Sequence, residues 1–397
     1  MTPHRSGELA RVIGLPGAIL LGLGSILGTG VFVSLGIAAG VVGHALVPAV
    51  MAAALVATAN GLSSAQLAAA HPVSGGTYEY GHRFVHPLAG FVAGWTFLAA
   101  KSASAATAAL GAAGYLMQLA GIGGGTGGRI ALAVAIAFVV TALVAGGLRR
   151  SNTANAVLVF TTLLSLGAFV AVAWLNAGVS GLAEPQAAGG ASFAGVDPGA
   201  FLRGTALLFV AYTGYGRIAT LGEEVRQPSV TIPRAVVSTL VVSMVVYVAV
   251  AVAALTVVTP TAFAETTLGE TAPLEVIVQT LGYPGIALLV GVGAVTAMAG
   301  VLLNLVLGLS RVLLAMARRG EMPGLFAHVV SGGRSPVLAV WATGGLVMLI
   351  ALTGDVGATW SFSAFSVLVY YGLTNLAALR LPEEARRFPH WVAVAGL

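Results

Sequence analysis

The stretch Gly24-Ser25-Ile26-Leu27-Gly28-Thr29-Gly30-Val31-Phe32 lies in the middle of an apolar run from about Gly14 to Ala39. The run is long enough to cross a bilayer, since a spanning helix needs about 20 apolar residues. Its glycines weaken the helix and let the backbone leave α-helical geometry. In hydrocarbon, backbone groups freed in this way must line a cavity or contact a ligand. The stretch therefore predicts either a helix broken at a binding site or a close helix contact through small residues such as Gly24 and Gly28.

The composition of the chain excludes an ordinary soluble domain. Of its 397 residues, 58% are hydrophobic and 8% are charged, which indicates a polytopic membrane protein whose surroundings are the lipid bilayer. The sequence contains no cysteine, so disulfides and thiol chemistry are excluded. The net charge of +5 does not come from one basic patch, because the basic residues lie at the ends of apolar runs. We therefore expect no nucleic-acid partner and treat these residues as topology signals.

Short polar segments divide the chain into ten apolar runs that predict ten membrane spans. The runs lie near Gly14–Ala39, Leu46–Ala70, Pro87–Ala120, Ile130–Gly147, Ala154–Ala177, Ala200–Leu221, Ala235–Val258, Pro284–Ala317, Pro336–Thr353 and Gly357–Leu381. We expect residues 1–381 to form a single transporter core. Residues 382–397 are expected to form a cytoplasmic linker and the truncated start of an eleventh helix, because the run from Trp391 to Leu397 is too short to cross a membrane.

Arginines are concentrated in alternate loops, and this asymmetry predicts the orientation. With a cytoplasmic N-terminus, the inner loops hold Arg83, Arg149, Arg150, Arg226, Arg234, Arg318, Arg319, Arg334, Arg380, Arg386 and Arg387. The outer connections, predicted as loops, instead carry acids that include Glu265 and Glu275. We expect a multi-pass protein of the inner (plasma) membrane.

The sixth span is interrupted in the same way as the first. It contains Val210-Ala211-Tyr212-Thr213-Gly214-Tyr215-Gly216-Arg217, with glycines, aromatics and a threonine near its middle. Spans one and six are the first members of two sets of five, about residues 14–177 and 200–381. Paired interruptions at matching positions are typical of inverted-repeat transporters, so they favour a binding site over a packing contact.

Four segments resemble the amino acid–polyamine–organocation family of secondary transporters. They follow the family's order along residues 24–323. The segments are Gly24–Phe32, the turn Pro72-Val73-Ser74-Gly75-Gly76-Thr77-Tyr78, the segment from Gly222 to Ala235, and Ser310 to Arg318 with Glu321-Met322-Pro323.

The resemblance implies an all-α fold with a LeuT-like 5+5 inverted-repeat core and discontinuous first and sixth helices. It also implies secondary active transport of amino acids by alternating access. We expect no cofactor and no metal ion, since the eighth span lacks the pair of hydroxyls that would favour sodium. Carried over by position, the substrate site would consist of Ser25, Ile26, Leu27, Gly28, Thr29, Gly30, Val210, Ala211, Tyr212, Thr213, Gly214 and Tyr215.

Within this set, N–H groups around Leu27, Thr29 and Gly30 would hold the substrate carboxylate at a positive half-helix end. The carbonyls of Ile26, Val210 and Thr213 would take the ammonium group. Tyr212 and Tyr215 would shape or gate the pocket, with simple aromatic packing as the alternative.

Lys101 is the only lysine of the chain and lies well inside the third span. An ionisable residue at that depth is a functional candidate by default, and Lys101 is our candidate for carrying a coupling proton. The alternative is a structural lysine tethered to backbone carbonyls. Some members of the resembled family use a lysine of the fifth helix, whereas the fifth span here reads Phe160-Thr161-Thr162-Leu163-Leu164-Ser165-Leu166.

The acids lie in loops or at span ends, so no carboxylate is expected beside the substrate. Glu223 and Glu224, at the inner end of the sixth span, are candidates for a gate, or for solvated helix-end charges. We expect Asn304 of the eighth span to make an interhelical hydrogen bond. The pattern favours a neutral amino acid. The alternatives are an exchanger, a cationic amino acid or polyamine permease, and a channel or intramembrane sensor; an enzyme is not expected, since the histidines lack ligand spacing.

Overall fold

The chain is almost entirely helical in the residues that the structure describes. This structure, a computed structural model, describes residues 13–71, 75–122, 125–147, 152–177, 197–219, 225–269, 272–329 and 336–397. The helices of its first half are α1 (Leu15–Ile26), α2 (Leu35–Val42), α3 (Leu46–Ala70), α4 (Thr77–Tyr80), α5 (Pro87–Leu119), α6 (Thr126–Ala145) and α7 (Asn152–Asn176).

The second half continues with nine helices in the described ranges. They are α8 (Pro198–Tyr212), α9 (Gly216–Ala219), α10 (Pro228–Val257), α11 (Pro260–Gly269), α12 (Pro273–Thr280), α13 (Pro284–Arg318), α14 (Val337–Ala351), α15 (Val356–Leu379) and α16 (His390–Ala395). Many of these helices begin with proline, which suits the first helical position because its missing N–H would have no partner there.

Every predicted apolar run contains one of these helices, which supports a multi-pass membrane protein. Six stretches of the described residues are long and apolar enough to cross a membrane. They are Leu15–Ala70, Thr126–Ala145, Thr153–Asn176, Pro228–Val257, Pro284–Arg318 and Val356–Leu379. The first stretch is 56 residues long and holds the first two predicted spans.

Helix α5 runs through the centre of the molecule, where α13, α15, α6 and α14 pack around it. Its residues from Ala100 to Tyr115 are buried at every position. Small side chains on all faces of this segment allow the neighbouring helices to approach closely. Because a helix buried on all sides belongs to the core, Lys101 lies in the protein interior.

The two interrupted spans lie side by side. Helix α1 packs against α9 and against the turn at residues 213–215, as well as against α7, α10 and α13. Just before α1, Ile13 forms a parallel backbone bridge with Val225, and the Arg226 N–H donates to the Ile13 carbonyl at 2.8 Å. Packing and backbone hydrogen bonds thus join the start of the first span to the end of the sixth.

One connection departs from the sequence prediction. The segment between the seventh and eighth spans, predicted as an outer loop, folds into the short helices α11 and α12. Helix α11 packs on α2, the second half of the first span, and α12 packs on α13. Both short helices start at proline, which suits the first helical position.

Candidate functional site

The first span is broken where the glycine-rich stretch predicted. Helix α1 ends at Ile26, and Leu27 has extended backbone angles of φ −74° and ψ 97°. The N–H groups of Val31 and Phe32 both donate to the Gly28 carbonyl at 3.1 Å. The second half-helix therefore begins at Gly28, and the predicted departure from α-helical geometry is confirmed.

The N–H groups of Thr29 and Gly30 lie in the first turn of this second half-helix. N–H groups in a first turn have no carbonyl partner within the helix. The Thr29 side chain is only 3% exposed, and its hydroxyl has no hydrogen-bond partner among the described atoms. Buried polar groups are normally paired, so this hydroxyl and the adjacent N–H groups form a site suited to an anionic ligand group.

The sixth span changes helix type at the predicted position. Helix α8 ends at Tyr212, Thr213–Tyr215 form a 3₁₀ turn, and α9 continues from Gly216. The change is milder than the break in the first span, because the backbone stays helical with a tighter turn. A Cβ atom on Gly214 would overlap the Ser25 carbonyl, so the two interrupted spans touch through their backbones.

Tyr247 of α10 joins the two interrupted spans. Its hydroxyl lies 2.9 Å from the Ile26 carbonyl oxygen and 3.1 Å from that of Ala211. The sequence analysis missed this residue, because Tyr247 sits inside a long regular apolar run with no motif around it.

Hydroxyls also reach the other two carbonyls that were predicted to bind the substrate ammonium. The Thr213 hydroxyl donates to the Val210 carbonyl at 2.7 Å, and Tyr371 donates to the Thr213 carbonyl at 3.1 Å. Together with the bond from Tyr247 to Ile26, each of the three carbonyls accepts one hydroxyl. The Val210 carbonyl also accepts the Thr213 N–H, and the Thr213 carbonyl also accepts the Gly216 N–H, so both lone pairs of these two oxygens are in use.

The structure places Lys101 at the interruption of the sixth span. Its Nζ donates to the Thr213 hydroxyl at 2.7 Å, and the side chain is 7% exposed. Because Thr213 donates onward to Val210, a single hydroxyl separates the amine from a predicted ammonium-binding carbonyl. The partner is thus a side-chain hydroxyl rather than the backbone carbonyls that the structural alternative had suggested.

Amide side chains connect the first span to the fifth and eighth. Asn155 of α7 donates from Nδ2 to the Leu20 carbonyl at 2.6 Å. Asn304 Nδ2 of α13 lies 3.5 Å from the Ser25 hydroxyl, which confirms the predicted interhelical contact. Neutral amides therefore pack against the first span from both helices.

The remaining predicted residues divide into buried tyrosines and acids outside the described ranges. Tyr212 and Tyr215 are fully buried, and the Tyr212 hydroxyl lies 3.4 Å from the Val50 carbonyl. Glu223 and Glu224, the predicted gate, lie outside the described residues.

An ionic cluster that the sequence analysis did not predict lies in the segments after α3 and α13. Glu321, after α13, accepts a hydrogen bond from Tyr78 at 2.8 Å and lies 3.1 Å from His82 Nε2. Arg319 pairs with Glu79 in the same cluster. Burial and the bond to Glu321 raise the pKa of Tyr78. The cluster joins the segment after the second span to the end of the eighth, two of the segments that carry the family resemblance.

Comparisons with known proteins identify the family of this chain. The family model "Amino acid permease" matches residues 17–397. An uncharacterized transporter of Mycobacterium tuberculosis is 38% identical over 392 residues, covering 98% of this chain and 84% of that protein. A branched-chain amino acid permease of Bacillus subtilis is 29% identical over 99% of this chain and 86% of its own, and a methylthioribose transporter of the same organism is 26% identical over 96% and 83%. The chain therefore belongs to the amino acid permease family, within the amino acid–polyamine–organocation group, and is a multi-pass membrane transporter rather than an enzyme.

Proposed function

We propose that this protein is a secondary active transporter that carries neutral amino acids across the cytoplasmic membrane by alternating access. The proposed core has a 5+5 inverted-repeat arrangement with repeats at about residues 14–177 and 200–381. The observation that carries the proposal is the backbone contact between the two interrupted spans at Gly214 and Ser25. At this contact, N–H groups of one half-helix and C=O groups of two others lie in a small buried region, as a zwitterion requires.

In this proposal the two charged ends of the substrate bind to different half-helices. The carboxylate binds the first-turn N–H groups of Thr29 and Gly30 and the Thr29 hydroxyl, which has no partner among the described atoms. The ammonium group binds the Ile26, Val210 and Thr213 carbonyls, and at Val210 and Thr213 it takes the place of the hydroxyl that donates there.

The neutral side chain follows from the charges near this region. Among the described residues, none of the contacts at the two interruptions involves a carboxylate. A cationic side chain would therefore be buried there without an anionic partner, and an unpaired buried charge is strongly unfavourable.

Among the relatives, the branched-chain amino acid permease fits a neutral substrate, while the methylthioribose transporter indicates that family membership alone leaves the substrate open. A cationic amino acid or polyamine permease, and an exchanger, are the competing assignments.

A transport assay tests the proposal directly. Purified protein in liposomes preloaded with unlabelled leucine should accumulate labelled leucine by counterflow, whereas a channel should not. We expect Thr29→Val to abolish leucine binding because it removes the unpaired hydroxyl. Gly30→Leu should do the same, because a Cβ there would lie 2.5 Å from the Tyr247 hydroxyl.

The matched control is Thr58→Val, since the Thr58 hydroxyl donates only to the Ala54 carbonyl of its own helix among the described contacts. Unchanged leucine affinity in both site variants would show that the substrate binds elsewhere. Competition in which arginine or putrescine displaces leucine would overturn the neutral substrate.

We also propose that Lys101 carries the coupling proton. Its amine and the substrate ammonium would share Thr213, so the charge on Lys101 influences how the substrate binds. We expect Lys101→Ala to weaken the difference between leucine uptake at pH 5.5 and at pH 7.5, measured in liposomes with a fixed membrane potential. An unaltered pH dependence would remove Lys101 from coupling.

A further inference from the structure

Glu275 is a buried acid that the proposed transport mechanism does not use. It lies in the first turn of α12, in the outer connection between α10 and α13. The residue is only 4% exposed, and its Oε2 has no hydrogen-bond partner among the described atoms. A carboxyl group in this condition requires a physical explanation, because an unpaired buried charge is strongly unfavourable.

The elements packed around Glu275 form a close-fitting apolar pocket, which we call the seat of α12. Helix α12 packs against α13, α7, α10 and α11, and against the helical turn Gly30–Ser34 that follows the break in the first span. On α13, Gly291 leaves the space that the carboxyl occupies, since a Cβ there would lie 2.7 Å from Oε2 and 2.6 Å from the Leu119 side chain. The acid therefore sits in the contact between the outer connection and two spans.

No cation neutralises this carboxyl group within the described residues. The ionisable side chains that the neighbouring elements carry toward this end are Tyr115 on α5, Tyr247 on α10, Glu265 on α11 and Tyr283 just before α13. Tyr115 donates its proton to the Phe32 carbonyl at 3.0 Å. The cations of these elements lie far off: Lys101 is 18 residues, or about 27 Å of helix, from Leu119, and Arg311 is about 30 Å from Gly291. Arg234 and Arg318 lie at the inner ends of their helices.

We propose that Glu275 is a proton-binding site that holds α12 in its seat when protonated and releases α12 when it ionises. The proposal rests on the proposed function in one respect, namely that alternating access requires this outer connection to move. Protonation would then favour closure over the second half of the first span, which carries the proposed carboxylate site.

The direction of the pH dependence follows from linkage. Burial raises the pKa of Glu275 from 4.5 to about 7 in the seated form. A group whose pKa is raised stabilises the seated form at low pH, and this stabilisation is lost as the pH rises through 7. If the released form has the ordinary pKa of 4.5, the ratio of released to seated α12 should rise about tenfold between pH 6 and pH 8.

Because the chain contains no cysteine, a maleimide labels only a cysteine that is introduced by substitution. Val278 of α12 is fully buried, so in Val278→Cys the thiol reacts with a maleimide only when α12 leaves its seat. The neighbouring Gln279 is exposed, and Gln279→Cys corrects for the effect of pH on thiol reactivity. In nanodiscs without substrate, we expect the labelling rate of Val278→Cys relative to Gln279→Cys to be about tenfold higher at pH 8 than at pH 6.

Two further substitutions, each combined with the reporter, test the role of the carboxyl group. Glu275→Gln cannot ionise, so its relative labelling rate should stay at the pH 6 value at both pH values. Gly291→Ala places a methyl group against Oε2 and should give fast labelling at both pH values.

A pH dependence that persists in Glu275→Gln, equal rates at the two pH values in the parent, or slow labelling in Gly291→Ala would each overturn the proposal. Because no substrate is present, these outcomes are independent of the leucine counterflow assay. A failed transport assay and a failed labelling assay therefore reject different statements.

Discussion

At the scale of single residues, aromatic side chains satisfy the backbone of the interrupted spans. Tyr247 reaches carbonyls of both spans, Tyr371 reaches Thr213, and the Trp360 indole N–H donates to the Leu207 carbonyl at 2.9 Å. Carbonyls released from a regular helix need donors inside a membrane protein. Tyrosine and tryptophan supply a donor at the end of a large apolar ring, so the same residue fills space and makes the hydrogen bond.

Tyr247→Phe should destabilise the fold by removing the one hydroxyl proton that the Ile26 and Ala211 carbonyls share. A buried acceptor left without its partner costs about 1–3 kcal/mol. We expect a lower unfolding midpoint in detergent, measured by tryptophan fluorescence. Tyr283→Phe is the control, because Tyr283 is 37% exposed. Equal midpoints for Tyr247→Phe and the parent would show that the two carbonyls do not depend on this hydroxyl.

The sequence predicted some of these residues and not others, for identifiable reasons. Lys101 was recognisable because a lone lysine inside a span is unusual, but its partner Thr213 is 112 residues away and sequence spacing does not connect them. Tyr247 has no unusual neighbours in its run. Glu275 was predicted in an exposed loop, and its burial became evident only once α12 was seen to fold and pack.

At the scale of helices, the glycines of the first span allow both the break in the helix and its close packing against neighbouring helices. Gly24 lies against Asn155 of α7, and a Cβ on Gly28 would lie 2.6 Å from the Val301 side chain of α13. The break and the close helix contact are therefore both present in the opening stretch, and the binding site there stays a prediction. The residues that weaken the helix also let its neighbours approach the break.

Gly214→Ala should push the two interrupted spans apart, because the added methyl group would overlap the Ser25 carbonyl. We expect loss of leucine binding and a lower unfolding midpoint. Gly167→Ala is the matched control in α7, where a Cβ would meet no atom within 4 Å. The control should be neutral or slightly stabilising, since alanine restricts the unfolded chain. Normal leucine binding by Gly214→Ala would argue against a site at this contact.

At the scale of the whole molecule, the distribution of arginine predicts the orientation in the membrane. Ile122 lies in the connection after α5 and is 61% exposed, whereas Leu325 lies after α13 and is 52% exposed. If the N-terminus is cytoplasmic, these residues lie on opposite sides, with Ile122 outside. In intact cells, an impermeant maleimide should label Ile122→Cys, and it should label Leu325→Cys only after permeabilisation. The reverse pattern would invert the topology.

The hydroxyls that donate to the three carbonyls proposed to bind the ammonium group have a consequence for the return of the unloaded carrier. A carrier that returns without substrate faces a barrier if its empty site leaves carbonyl oxygens without hydrogen-bond donors in the protein interior. Here the hydroxyls of Tyr247, Thr213 and Tyr371 donate to these carbonyls when no substrate is bound. Such a site favours net transport of amino acid in one direction over obligatory one-for-one exchange. Leucine efflux from loaded liposomes into leucine-free buffer should therefore proceed without external amino acid.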